Sequence, residues 1–165
     1  MKASFIDKIR LEKKVLTRFN LEQIQPRPKH MAVYLMLNIA DENYQEKYSI
    51  DDNLSILFTL NFDMHDHDHH NFDSENPSRD SLALSGKIQV RMVARFREGF
   101  EPKAPIGETY VVEILSLVYD DMRIIVEDAI WKTDYRGFAL PVDFRELLEI
   151  QTPTTRKDAE SDAED

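Results

Sequence analysis

Arg136-Gly137-Phe138-Ala139-Leu140-Pro141-Val142-Asp143-Phe144 reads as the stop of one amphipathic helix and the start of the next. Gly137 can adopt the left-handed C′ conformation that releases terminal carbonyls, and Pro141 keeps Leu140 out of helix. Asp143 fits the N-cap of a helix over Phe144 to Ile150, with Glu146 at its third position as in a capping box. Upstream, Met122, Ile125, Val126, Ala129 and Ile130 recur at i, i+3, i+4, i+7 and i+8. Asp120 and Asp121 suit the positive end of that helix.

Further upstream the period changes from 3.6 to two. Val33, Leu35, Leu37 and Ile39 share one face of a strand, as do Leu54, Ile56, Phe58, Leu60 and Phe62, and then Ile88, Val90, Met92, Ala94 and Phe96. The opposite faces carry Ser55, Thr59 and Asn61 on the second strand and Lys87, Gln89, Arg91 and Arg95 on the third, so that side can meet water or a partner. Ile9, Leu11, Lys13 and Val15 alternate well enough for a fourth strand, although Leu16 and the interspersed charges also fit a helix. Tyr110, Val111, Ile114, Leu115 and Val118 fit helical spacing after a Pro-rich breaker, with a β-branched strand as the alternative. Two long polar connections, Asp41 to Asn53 and Asp63 to Ser81, join the central strands without a tight hairpin signature. Strands followed by helices, with no βαβ alternation, predict an α+β domain: a four-stranded antiparallel sheet with two C-terminal helices packed on one face.

A length of 165 residues and a hydrophobic content of 42% suit one domain over residues 1–150, followed by an acidic, unfolded tail over 151–165. With no cysteine there is no disulfide and no thiolate chemistry, and the N-terminus has no apolar h-region, so a soluble cytoplasmic protein is expected. The net charge of −10 disfavours nucleic acid and anionic membranes as partners and favours basic or polypeptide ones. Neither a glycine-rich phosphate loop nor a serine nucleophile elbow is present, so an enzyme is not expected, and no cofactor is called for.

These residues resemble the C-terminal half of SecB-type protein-export chaperones. The features are Arg123 at a helix start, the small-residue stop at Gly137, Leu140 in the linker, Pro141-Val142-Asp143-Phe144 and Leu147-Leu148, and the likeness spans about residues 5 to 150. The resemblance implies ATP-independent binding of unfolded polypeptide in apolar grooves, by homodimers or homotetramers, with a link to protein transport. The family's aromatic-proline-tyrosine element is replaced by Tyr119-Asp120-Asp121, and the second central hairpin loop is expanded. The acidic sheet surface that docks the SecA motor is replaced by Lys87, Arg91, Arg95 and Arg97, so that site is not carried over. A dedicated interaction module on the same fold, holding one specific partner, is the alternative.

Candidate polypeptide-binding or interface residues are Tyr34, Met36, Leu57 and Val93, opposite the main apolar stripes, and the aromatics Phe96, Phe100, Tyr110, Trp131 and Phe138. Each aromatic at a periodic position also fits plain core. In His65-Asp66-His67-Asp68-His69-His70, the imidazoles of His65, His67 and His69 would share one side of an extended segment, a weak candidate for a metal site against a solvated loop.

Overall fold

A computed structural model describes residues 4–151, and the acidic segment beyond Gln151 lies outside the described residues. Strands β1 (Ile9–Gln23), β2 (Met31–Asp41), β3 (Asn53–Asp66) and β4 (Leu82–Phe96) form one antiparallel sheet in the order β1-β4-β3-β2. Four helices follow: α1 (Ile106–Thr109), α2 (Val111–Leu115), α3 (Tyr119–Trp131) and α4 (Phe144–Gln151). The α+β class with a four-stranded antiparallel sheet is as the sequence predicts, with the expected Tyr110–Val118 helix broken into short pieces.

One sheet face and the helices enclose a single apolar core. Leu54, Ile56, Phe58, Leu60, Phe62 and Met64 of β3 and Ile88, Val90, Met92, Ala94 and Phe96 of β4 are all buried, as strict alternation requires. Ile106, Ile114, Leu115, Val118, Met122, Val126, Ile130 and Leu147 close over them from the helical layer. At β4 the core demands a missing side chain. A Cβ on Gly86 would sit 1.9 Å from Cζ of Phe62, so glycine is what lets that ring lie across the neighbouring strand.

β1 is a strand, and two bulges explain its irregular pattern. Its register against β4 shifts between Leu11 and Lys13 and again between Leu16 and Arg18. Ile9 and Leu11 stand opposite Phe96 and Ala94, on the helix side. After the first bulge Lys14 and Leu16 take that side, opposite Met92 and Val90, and after the second Phe19 and Leu21 take it. Lys13 and Val15 therefore face away from Ile9 and Leu11, correcting the simple alternation read from sequence.

The helix stop is also corrected. α3 ends at Trp131, where Thr133 Oγ1 donates to the Ile130 carbonyl at 2.7 Å, well before Gly137. Gly137 has φ of 94° and lies inside a turn closed by Phe138 N–H to the Tyr135 carbonyl at 3.2 Å, where the third position requires positive φ. Its glycine character is accounted for by that turn instead of by a C′ cap. Asp143 behaves as read: its Oδ1 accepts from the Arg145 backbone N–H at 3.0 Å in the first turn of α4.

Neither long connection is a simple excursion. Tyr48, from the segment joining β2 and β3, is fully buried; its backbone pairs with Phe100 and its ring stacks on Phe96 at 4.4 Å. Tyr34 Oη donates to the Ser74 carbonyl at 2.8 Å, and Phe72 packs against His65 and His67, which folds the β3–β4 loop back onto the sheet.

Candidate functional site

Two surfaces remain available once the core is closed. The first runs along β1, an edge strand of 15 residues that among the described residues pairs only with β4 and so offers one side of its backbone to a further strand. Beside it, Lys14, Leu16, Val90, Asp121, Ile124 and Ile125 line a cleft of about 310 Å³ between the sheet and α3. Leu16 is 48% and Ile124 58% exposed in this mainly apolar setting. An ion pair from Lys14 to Asp121 crosses the cleft and ties the start of α3 to β1. Bulging places Leu16 here: with unbroken alternation from Ile9 it would face the opposite side.

Further along α3, Trp131 lies seven residues from Ile124, two helical turns on and on the same outward side, and is 65% exposed. Glu127 separates this apolar pair from Arg123, to which it is joined at 3.3 Å. An exposed tryptophan and isoleucine on one helix side, next to an open strand edge, form an apolar surface of the kind that meets other polypeptides.

The second surface is the sheet face without helices. Tyr34, Met36, Leu57 and Val93 all belong to it, as alternation predicts, but in two groups. Tyr34 and Met36 join Asn61, Asp63, Ser85 and Lys87 around a concavity of about 740 Å³, with Met36 62% exposed. Leu57 and Val93 are half-buried among charged neighbours, where Arg91 holds Glu42 through two bonds of 2.6 and 2.7 Å. The bonds to Arg91 hold the Glu42 carboxyl below its ordinary pKa. Burial pushes the Tyr34 phenol up, with Asp73 adding to the effect, so Tyr34 acts as a neutral donor.

The other candidates scatter. Phe96 is 1% exposed, and with Phe5, Tyr48, Phe100 and Tyr110 it builds a stacked cluster closing one end of the core; Phe5 and Tyr110 are 4.4 Å apart and Phe96 and Phe100 5.5 Å. These three candidates therefore serve the interior of the domain. Phe138 is half-buried against the core from the linker. The sequence reading missed Leu16 and Ile124; the break in the alternation of β1 at Leu16 was the available signal.

The three histidines do not converge. His65 is buried with Nδ1 2.8 Å from Ser81 Oγ, and burial lowers its pKa against the opposing pull of Asp63 and of a hydrogen bond to the Ser78 backbone. His67 packs on Phe72 and His69 stacks on His70 at 4.4 Å. Among the described residues no group of three His, Cys, Asp or Glu side chains stands together as a metal site would require. Among the same residues no helix is long and apolar enough to cross a membrane.

No family model and no curated protein matches the chain. Among solved structures it is similar to the SecB-like chaperone Rv1957 of Mycobacterium tuberculosis, solved in complex with a ChAD peptide from the antitoxin HigA1. The identity is 8%, the TM-score 0.61, and the match covers 84% of this chain and 92% of that one. It also matches a Streptococcus agalactiae protein of unknown function at 13% identity and a TM-score of 0.44, over 81% of this chain and 97% of the other. The first likeness establishes a SecB-like fold.

Proposed function

We propose that this chain binds extended, non-native polypeptide segments without nucleotide chemistry, as an ATP-independent chaperone of SecB-like fold. The observation that carries the reading is the cleft of Leu16, Val90, Ile124 and Ile125 beside the open edge of β1. A bound segment adding to β1 would gain main-chain hydrogen bonds along the edge, while alternate side chains drop toward the cleft. Burial at about 25 cal/mol per Å² of apolar surface, spread over weakly selective contacts, gives affinity with little sequence specificity. The peptide-bound state of the mycobacterial neighbour supports peptide capture on this fold.

Assembly into a homodimer or homotetramer belongs to the same proposal, with Trp131 on the outer side of α3 as an anchor for a second copy. A cytoplasmic setting goes with it. Engagement of an export motor does not, because cations occupy the open sheet face. The test is suppression of aggregation of a chemically unfolded client in the absence of ATP; no protection at several-fold molar excess would sink the chaperone reading.

A second reading, one dedicated partner held in the same cleft, is favoured by the neighbour's complex with a peptide from a particular antitoxin. Competition decides between them. Unrelated unfolded peptides displace one another from a promiscuous cleft and fail to displace a dedicated ligand.

A further inference from the structure

We infer that the open face of the sheet is a docking surface for this chain's own acidic C-terminal segment, residues 158–165. The inference stands independently of the β1 cleft, which lies on the other side of the sheet. Although the chain carries −10 overall, the middle of this face is cationic: Arg10, Lys13 and Arg18 project from β1, and Lys87, Arg91 and Arg95 from β4. Glu12 and Glu42 are tied to cations of this face, whereas Glu22 of β1, opposite Ser85, and Asp63 have no cation partner among the described residues. Glu42 is held by Arg91, Asp63 accepts from Ser85 Oγ at 2.6 Å, and Glu12 lies 2.9 Å from Arg10 and 3.8 Å from Arg95. Lys13, Arg18 and Lys87 have no carboxylate partner within ion-pair distance among the described residues.

The C-terminal sequence is patterned to meet that face. Asp158-Ala159-Glu160-Ser161-Asp162-Ala163-Glu164-Asp165 places acids at every second position, with only alanine and serine between them. In an extended conformation Asp158, Glu160, Asp162 and Glu164 project from one side at intervals of about 7 Å, with small residues on the other. The open-side cations of β4, Lys87, Arg91 and Arg95, recur at every fourth residue, about 14 Å apart, so every second acid of an extended segment would meet one. A solubility tail needs acidic residues, but it does not need them in phase.

Reach is sufficient. α4 ends at Gln151 and packs on β2, the edge strand nearest that end of the chain. The seven residues from Gln151 to Asp158 span up to about 25 Å, against about 10 Å from the helical layer to the open face and two strand spacings, about 10 Å, from β2 to β4. The connecting segment can pass the β2 edge and deliver the acids onto β4 and β1. Held there, they would oppose the cations that keep this face open to acidic partners.

Because the chain has no cysteine, Ser161→Cys gives one labelling site in the 165-residue chain. With a nitroxide at that position, amide resonances of Gln89, Arg91 and Arg18 should broaden at low ionic strength, and more strongly than those of Met122 to Ile130 in α3 on the far side of the sheet. Broadening should vanish in about 0.5 M salt, where the screening length falls to about 4 Å. It should also fade in Lys13→Gln/Arg18→Gln/Lys87→Gln, whose substitutions are at solvent-facing positions, and persist when the labelled protein is diluted into excess unlabelled chain. No broadening, broadening centred on the helices, insensitivity to salt or to the charge substitutions, or loss on dilution would each overturn the intramolecular docking.

Discussion

Replacing Ile124 with serine separates the cleft's role in binding from any role in folding. Ile124 is 58% exposed in the isolated chain, so its truncation removes little buried surface, and a surface change of this kind shifts stability by no more than about 0.5 kcal/mol. The exposed fraction is what a bound segment would cover. Complete burial of an isoleucine side chain contributes about 1.5–3 kcal/mol, and 58% of that is about 0.9–1.7 kcal/mol. A client seated in the cleft should therefore bind about 5- to 20-fold more weakly to Ile124→Ser. Leu16→Ser, at 48% exposure, should weaken binding somewhat less, and the double variant should fall short of the product because both side chains line one cleft. The assay is fluorescence anisotropy of a labelled, unfolded client peptide, run alongside a thermal melt of each variant. Unchanged affinity with an unchanged melting temperature would refute the cleft as the seat of binding.

Gly86→Ala should destabilise the domain by about 1–3 kcal/mol in chemical denaturation, because the new methyl group meets the buried Phe62 ring at 1.9 Å and the core must repack. Tyr119→Phe should cost about 0.5–1.5 kcal/mol by removing the hydroxyl that donates to the Pro141 carbonyl at 2.5 Å. In the native protein that phenol, its pKa pushed up to about 12 by burial, should remain protonated to strongly alkaline pH by ultraviolet titration. His65 makes stability pH-dependent with a defined sign. Its folded pKa lies below the ordinary 6.5, so the unfolded chain takes up the proton first and stability falls as pH drops below about 6.5, flattening once the folded pKa is passed. His65→Gln should remove this component, seen as a difference between the two stability–pH curves with a slope no steeper than about 1.4 kcal/mol per pH unit.

β3 and β4 were legible because each alternates strictly over a buried face, β2 because its alternating stripe still packs Leu35, Leu37 and Ile39 on the core although Val33 is exposed, and α3 because its stripe holds the helical period across its whole length. What escaped had no periodic signal. Tyr48 shares a polar stretch with the exposed Tyr44, and only its pairing with Phe100 and stacking on Phe96 single it out for the core. The helix end at Trp131 was displaced toward Gly137 because a positive-φ glycine serves a turn as readily as a C′ cap. Of the site, Tyr34, Met36, Leu57 and Val93 could be assigned to the open face from alternation alone, whereas Phe96, Phe100 and Tyr110 could not be told from core by residue type. Leu16 and Ile124 required the third dimension, since one lies on a bulged strand and the other on the outward side of the most regular helix.

The paired bulges of β1 make facing a matter of counting. Each extra residue inverts everything that follows, and the second restores the original phase, so Lys13 to Leu16 form a short cassette read in the opposite sense from its flanks. Were Glu12 paired in regular alternation opposite Val93, Lys13 and Val15 would fall on the cleft side and Lys14 and Leu16 on the cationic side. The location of the apolar seat is thus encoded by where the strand is one residue too long, a property that no substitution at the seat itself would reveal.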